Sequence, residues 1–538
     1  TKIAPQEKRP LIMCEYSHGM GNSHGALCDY FERFRKYVRF QGGYIWDWID
    51  QGLHETDADG RQYWAYGGDY GDTPNDYDFI GNGMIGPDRT PHPACYEFRY
   101  LAKPFAIKPQ PLPRQLFDFT NYNYFTTLDD YEFIWEVECD GQVLANGKID
   151  RKEIAAIGPQ QTKAIKIDWQ GKTALSEAES CCEIFLNVIA CYRKDTLWAK
   201  KGDICGHEQF RVDSAVILPN TPPCYDKLYE TSVNERTHTY KCGGDVIKLN
   251  KEGSLDKWTV NHGSQELLAC PITEQFLRGF IDNDGIRSTI TTDTFRIGYT
   301  WLTKWDLLNL KRHVGVAPIS QVNGEPPCYL VANTIEYTAA NGGKIRVKRG
   351  ASCYPDGSVL LAFSFEVPEE LGDLPRLGIS IVMPEGFENF TYFGKGPQEC
   401  YIDRQAGAMI GLYKQTVTDQ YFPYMMPQEC GNHTAVRFAA VDNGAIGLLA
   451  VSIGSEIEAS ALHFTPEDFI EARHINELHP RKETILTLQV MQRGLGTGSC
   501  GEDTRDQYRI RPGCYNLSLR LFPFAVGEDL MAIANSCR

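Results

Sequence analysis

The sequence predicts a multidomain, mainly β protein that opens on a short parallel α/β segment and continues in antiparallel sandwiches. Three observations carry this. A strand–helix–strand pattern occupies the first fifty residues. From about Ala102, short alternating strands follow one another, joined by Asp-Gly, Asn-Gly and Gly-Pro turns. From about Cys224 to Arg538 strands continue with little helical periodicity.

The opening segment is the most informative. Leu11 to Cys14 is an apolar run between Pro10 and a Gly-rich loop, the pattern of a strand covered on both faces. Glu15 stands at its exit, the end that carries chemistry in barrels of alternating strands and helices. A solvated Glu at a strand exit is the plain alternative, and position alone does not separate the two. Asn22 or Ser23 is predicted to cap a helix over about Gly25–Tyr37, where Leu27, Phe31 and Phe34 recur at helical spacing. Gln41, Gly42 and Gly43 are predicted to end it, and Tyr44 to Asp50 reads as the next strand. The three elements make one right-handed parallel crossover and place Glu15 and Trp46 at the same end of a sheet. The following loops, Trp64 to Asp72 and Asp76 to Gly83, are aromatic, acidic and Gly-rich. Rings beside carboxylates suit a sugar, whose C–H face stacks while its hydroxyls are bound by acids and amides.

Six strands are predicted next: Phe117 to Thr126, Tyr131 to Glu138, Gln142 to Asp150, Thr162 to Trp169, Glu183 to Tyr192 and His207 to Val212. Such spacing implies a β-sandwich. Leu218 to Pro223, with three prolines, reads as a linker. Beyond it, Thr300 to Val314 and Thr465 to His474 look helical, and the rest reads as one large antiparallel sandwich.

Composition is that of an ordinary globular protein, 42% apolar and 23% charged, and 538 residues allow about three or four domains. A net charge of −16 argues against nucleic acid or an anionic membrane as partner. No run approaches the ~18 apolar residues of a membrane span. The eighteen cysteines contain no C-x-x-C pair. Many lie in apolar runs, where a thiol behaves as a small hydrophobe, so reduced cysteines and a cytoplasmic location are expected. An even count also permits pairing in an oxidising compartment.

Four ordered blocks carry a resemblance: Cys14 to Ser23, Gly42 to Trp48, Tyr66 to Asp76 and Asp88 to Ala94. They resemble the end of the catalytic barrel in the large β-galactosidases of glycoside hydrolase family 2. Weaker matches follow at Asp282-Asn283-Asp284, Gly394 to Glu399 and Met426 to Gly431. The resemblance implies the end of a (β/α)8 TIM barrel over 1–103, an immunoglobulin-like β-sandwich over 104–217 and an antiparallel β-supersandwich over 224–538. It makes Glu15 the catalytic nucleophile. His18 becomes a transition-state sugar ligand, and Trp46 the platform under galactose. Phe79 (by its carbonyl) and Asn82 become ligands of a sodium or potassium ion near the sugar's 6-hydroxyl, with Asn82 also at the substrate.

A retaining glycosidase needs a second carboxyl about 5–5.5 Å from the first. In the family that acid lies well upstream, beside magnesium ligands, and only fourteen residues precede Glu15 here. The acid, the Mg2+ ligands and most of the barrel are therefore expected on an upstream segment of the same polypeptide or on a separate large subunit. Asp47 and Asp50 are expected to be structural. A homo-oligomer is expected as well. In the family a tail-loop tryptophan holds the aglycone; the matching segment here, Gly494 to Asp503, has none. His463, His474 and His479 are either neighbours of that region or ordinary loop histidines. A non-catalytic complementation or carbohydrate-binding subunit, and a family 2 hydrolase for another β-glycoside, stand as alternatives; the intact Glu15-Tyr16-Ser17-His18 string disfavours the first.

Overall fold

The computed structural model describes residues 8–111, 115–169, 183–212, 229–233, 237–242, 244–260, 264–315, 319–322 and 328–537. The chain divides into two compact units, one of residues 1–95 with 221–530, the other of 96–220 with 531–536.

The first unit opens with the predicted crossover. Strand β1 (Leu11–Tyr16) pairs in parallel with β2 (Phe40–Ile45), and α1 (Leu27–Lys36) connects them. Helix α1 packs through Tyr30 and Phe34, whose rings lie 5.1 and 5.6 Å from that of Tyr16; Phe34 also meets Phe40 at 4.7 Å. Arg33, Arg35 and Lys36 fill the last turn, where cations suit the helix dipole.

Three local expectations need correction. Strand β2 starts at Phe40 rather than Tyr44, so the glycine pair lies inside it. A Cβ on Gly43 would fall 2.7 Å from that of Met13, so glycine here permits close strand approach rather than ending a helix. The residue capping α1 is Ala26, with φ 56° and no side-chain cap; Asn22 and Ser23 are bonded elsewhere. Finally, β1 is not covered on both faces among the described residues, for Ile12 is 54% exposed.

A hairpin, β3 (Leu53–Thr56) and β4 (Gln62–Ala65), follows. The large sandwich comprises a ten-stranded antiparallel sheet and two five-stranded ones. One apolar core joins them, with Trp258, Val347, Phe365, Ile379, Leu448 and Leu486 all buried. Thr300 to Val314 is not one helix. A short helical stretch over 297–304 gives way at Asp306 (φ 51°), and Lys311–Val314 joins the large sheet. The buried Trp301 indole donates to the Asp373 carbonyl at 2.7 Å, so tertiary packing decides this segment. Pro466–Glu471 is helical as predicted, with Thr465 and Asp468 forming a capping box.

The second unit holds a three-stranded sheet (Phe105–Pro109, Leu116–Asn121, Thr162–Lys166) and a four-stranded one (Tyr131–Cys139, Gln142–Lys148, Ile184–Tyr192, Ile204–Arg211). Tyr131–Cys139 buries alternate residues, and Phe105, Phe119, Phe133, Trp135 and Leu186 form its core. Phe105–Pro109 and the short helix Arg151–Ala155 were not predicted. Leu218 to Pro223 lies outside the described residues. No described helix is long and apolar enough to cross a membrane.

Candidate active site

Backbone bonds draw three loops together where β1 and β2 end. Trp46 N–H donates to the Tyr16 carbonyl (3.2 Å), Gly19 N–H to Trp46 (2.7 Å), Gly21 N–H to Gly81 (3.2 Å) and Asp47 N–H to Asn82 (2.5 Å). Glu15, His18, Trp46 and Asn82 are thereby neighbours, although Asn82 lies beyond a separate hairpin in sequence.

His18 Nε2 lies 2.7 Å from Glu15 Oε2, with the His18 side chain 13% and the Glu15 side chain 43% exposed. One carboxylate oxygen is thus held by a ring nitrogen while the group still faces solvent. The Trp46 ring, half-exposed, lies 6.3 Å from that of His18. The other carboxyls nearby are engaged. Asp47 accepts from Trp48 N–H (2.5 Å) and the Gln51 amide (3.2 Å). Asp50 is buried, accepts from Gly83 N–H (2.6 Å) and pairs with His92 at 3.1 Å.

Asn82 is buried and its Oδ1 has no partner among the described residues. A buried acceptor left bare is uncommon, and it fits an oxygen-seeking cation of low charge. Phe79 sits two residues into the adjoining turn Tyr77–Ile80. Next to it, Asp78 is buried against Asp282; burial first, then their mutual repulsion, pushes the Asp78 carboxyl well up. Among the described residues, no three His, Cys, Asp or Glu side chains come together as a metal site.

A family model for the β-galactosidase small chain matches residues 245–521, just over half of the sequence. The chain belongs to the β-galactosidase small chain family. Models for the TIM barrel domain of glycosyl hydrolases family 2 and for β-galactosidase domain 4 match residues 1–107 and 117–213. A β-galactosidase of Priestia megaterium is 32% identical over 510 residues, covering 92% of this chain and 45% of that protein. One from Photobacterium profundum is 29% identical over 536 residues, covering 96% and 49%. The chain spans about half the length of the curated relatives it matches. A solved galactose 1-epimerase from Lactobacillus acidophilus aligns with 56% of this chain and 99% of its own, at TM-score 0.28 and 9% identity.

In this member of the small chain family, the large sandwich grips the loop that follows Glu15. The Asn22 amide donates to Tyr401 Oη (2.9 Å) and the Glu429 carbonyl (2.7 Å), while Asn22 N–H donates to Gln428 Oε1 (2.9 Å). Ser23 Oγ donates to the His18 carbonyl (3.0 Å) and accepts from the Asn283 amide (2.9 Å); Arg404 holds the Ser23 carbonyl (2.7 Å). Glu399 in turn accepts from Arg404, Tyr424 Oη and Gly431 N–H. The sequence had marked Asn283, Glu399, Gln428 and Glu429 only as parts of matching blocks. They hold the loop that follows Glu15 from outside the α/β segment.

The tail segment Gly494 to Asp503 lies against the same loop. Gly496 accepts from Gly25 N–H (3.2 Å) and from the Asn283 amide (2.9 Å), and Cys500 is exposed. The three histidines behave as ordinary loop residues. His474 stacks on Tyr66 at 4.5 Å and bonds Asp69 at 2.9 Å, His463 pairs with Glu388 at 2.7 Å, and His479 meets Arg61.

Proposed function

We propose that the chain supplies the nucleophile of a retaining glycosidase that hydrolyses terminal β-D-galactosides. The supporting observation is Glu15: a half-exposed carboxylate at a parallel-strand exit, steadied by His18 and flanked by the Trp46 ring. Glu15 attacks the anomeric carbon, the bond to the aglycone oxygen breaks, and water later resolves the glycosyl ester. His18 and Trp46 position the sugar. The proton for the leaving oxygen comes from a carboxyl on an upstream barrel segment, since Asp47 and Asp50 are committed to their own loops. That segment also brings the Mg2+ ligands. Phe79 and Asn82 would hold Na+ or K+, whose charge orients a sugar hydroxyl.

The same reading assigns 1–103 to the end of the barrel, 104–217 to the immunoglobulin-like sandwich and 224–538 to the supersandwich. Apolar β1, with Ile12 bare in a two-stranded sheet, suits a sheet that continues in the upstream portion. A homo-oligomer and a reducing, cytoplasmic setting belong to the reading too; Cys95, Cys205, Cys400 and Cys430 are among the described free thiols. The decisive experiment treats the complete enzyme with a 2-fluoro galactosyl inactivator and maps the labelled peptide. Label on Glu15, and loss of turnover in Glu15→Gln, are expected. Label on another carboxylate refutes Glu15 as the nucleophile, and lactose hydrolysis by this 538-residue chain alone refutes the upstream placement of the acid.

A further inference from the structure

We propose that Ser17 and His24 form a positioning pair that fixes the turn carrying His18 against Glu15. The proposal rests on the reading of Glu15 as nucleophile. Both residues have left-handed backbones, Ser17 at φ 50° and His24 at φ 64°, which a residue bearing a β-carbon adopts at a cost. Both are buried, at 3% and 1% exposure, and Ser17 Oγ lies 3.0 Å from His24 Nδ1. The bond therefore ties together the two strained ends of the loop, directly beside the residue that holds Glu15.

The ring does more than bond Ser17. A Cβ on Gly19 would stand 2.3 Å from His24 Nε2, so the imidazole lies directly beneath the Gly19 backbone. His18 is thus supported on both sides, through Ser17 and through Gly19, and Gly19 N–H is itself bonded to the Trp46 carbonyl. His24 Nε2 has no partner among the described residues. Burial first, and the nearby Arg404 charge second, push the ring down to about 3, so it is neutral throughout the ordinary pH range. In either tautomer one nitrogen bonds Ser17 and the other packs bare.

This chemistry predicts an asymmetry. Removing one partner strands the other in a buried site, whereas replacing both by apolar groups of similar shape removes the conflict. In the complete enzyme, Ser17→Ala and His24→Leu should each slow 2-fluoro galactosyl labelling of Glu15 and lower kcat roughly tenfold, the effect of one unpaired buried group. KM should change by less than about twofold, because Trp46 and Asn82 stay in place while the displaced His18 acts on the transition state. The double variant Ser17→Ala with His24→Leu should recover to within about threefold of the parent. Rates are taken per titrated active site, so partial unfolding does not imitate the effect. Equal labelling of Glu15 in all four forms, or a double variant as slow as the slower single one, overturns the pair. Parent label on a different carboxylate overturns the reading of Glu15 and this role with it.

Discussion

Replacing Asn283 by alanine tests whether the C-terminal strands hold the loop that follows Glu15. The Asn283 side chain is buried and makes four hydrogen bonds. Its amide donates to Ser23 Oγ (2.9 Å), the Leu495 carbonyl (3.1 Å) and the Gly496 carbonyl (2.9 Å), and its Oδ1 accepts from Ser499 N–H (3.0 Å). At about 1 kcal/mol each, with the backbone partners left in a dry site, the change should cost about 3 kcal/mol or more. That corresponds to roughly a hundredfold rise in the opening constant of the tail segment. Amide hydrogen exchange on this chain reads it directly: the Ser499 amide should exchange about two orders of magnitude faster in Asn283→Ala. Asn283→Asp keeps the acceptor for Ser499 and can accept from the Ser23 hydroxyl but sets an oxygen against the Leu495 and Gly496 carbonyls, so it should loosen Leu495 and Gly496 more than Ser499. Unchanged exchange of peptides 17–26 and 494–503 in both variants would refute the idea that this residue couples the two segments.

Other outcomes follow from the same structure. Glu458 is buried, and burial pushes its carboxyl from 4.5 up to about 7 despite bonds from Asn432 and Gln492. The folded chain then holds a proton that the unfolded chain has lost, so stability should fall as pH rises from about 4.5 through 7, by roughly 3 kcal/mol in all. Glu458→Gln should flatten that part of the stability–pH curve, and an unaltered slope would remove Glu458 as its source. Exchanging Na+ and K+ for a bulky organic cation should depress activity of the assembled enzyme, and Asn82→Ala should abolish the response; indifference to the exchange in the parent would discard the Phe79 and Asn82 site. Cys500→Trp should lower KM for lactose about fivefold, the value of one stacking contact of ~1 kcal/mol, and leave a small activated galactoside unaffected. Equal shifts for both substrates would show that the tail segment does not sit over the aglycone.

The sequence revealed what short-range pattern controls. The Leu11 to Cys14 run, the Leu27, Phe31 and Phe34 stripe and the alternation in Tyr131–Cys139 all reappear as the elements they predict, because each needs only its own periodicity. It misled where a residue's usual local role was overruled from far away. Asn22 and Ser23 are good helix caps in isolation, yet their side chains meet Tyr401 and Asn283 instead. Gly42 and Gly43 look like a helix end, but Gly43 admits a neighbouring strand and Gly42 takes φ 120° within β2. Thr300 to Val314 has helical spacing, but its buried Trp301 and the sheet pairing of Lys311–Val314 set its course. That Glu15, His18 and Trp46 lie together was legible because parallel pairing brings the exits of β1 and β2 to one end. Ser17 and His24 carried no such signal: a buried serine–histidine bond has no sequence signature until the turn between them is drawn.

Gly21 and Gly25 seat the loop so tightly that a Cβ on either would strike Gln428 or Asp403. This fit has a consequence in time. Gln428 lies 406 residues after Asn22. At about 5–20 residues per second, a ribosome reaches it roughly 20 to 80 seconds after making the loop. Throughout that interval the loop after Glu15 has been synthesised but lacks its Gln428 partner, with Asn283 and Arg404 arriving earlier. A growing polypeptide that stops before Gln428 will carry the Glu15 loop without that contact. Premature termination near the far end should therefore disturb the Glu15 loop as a lesion beside it would.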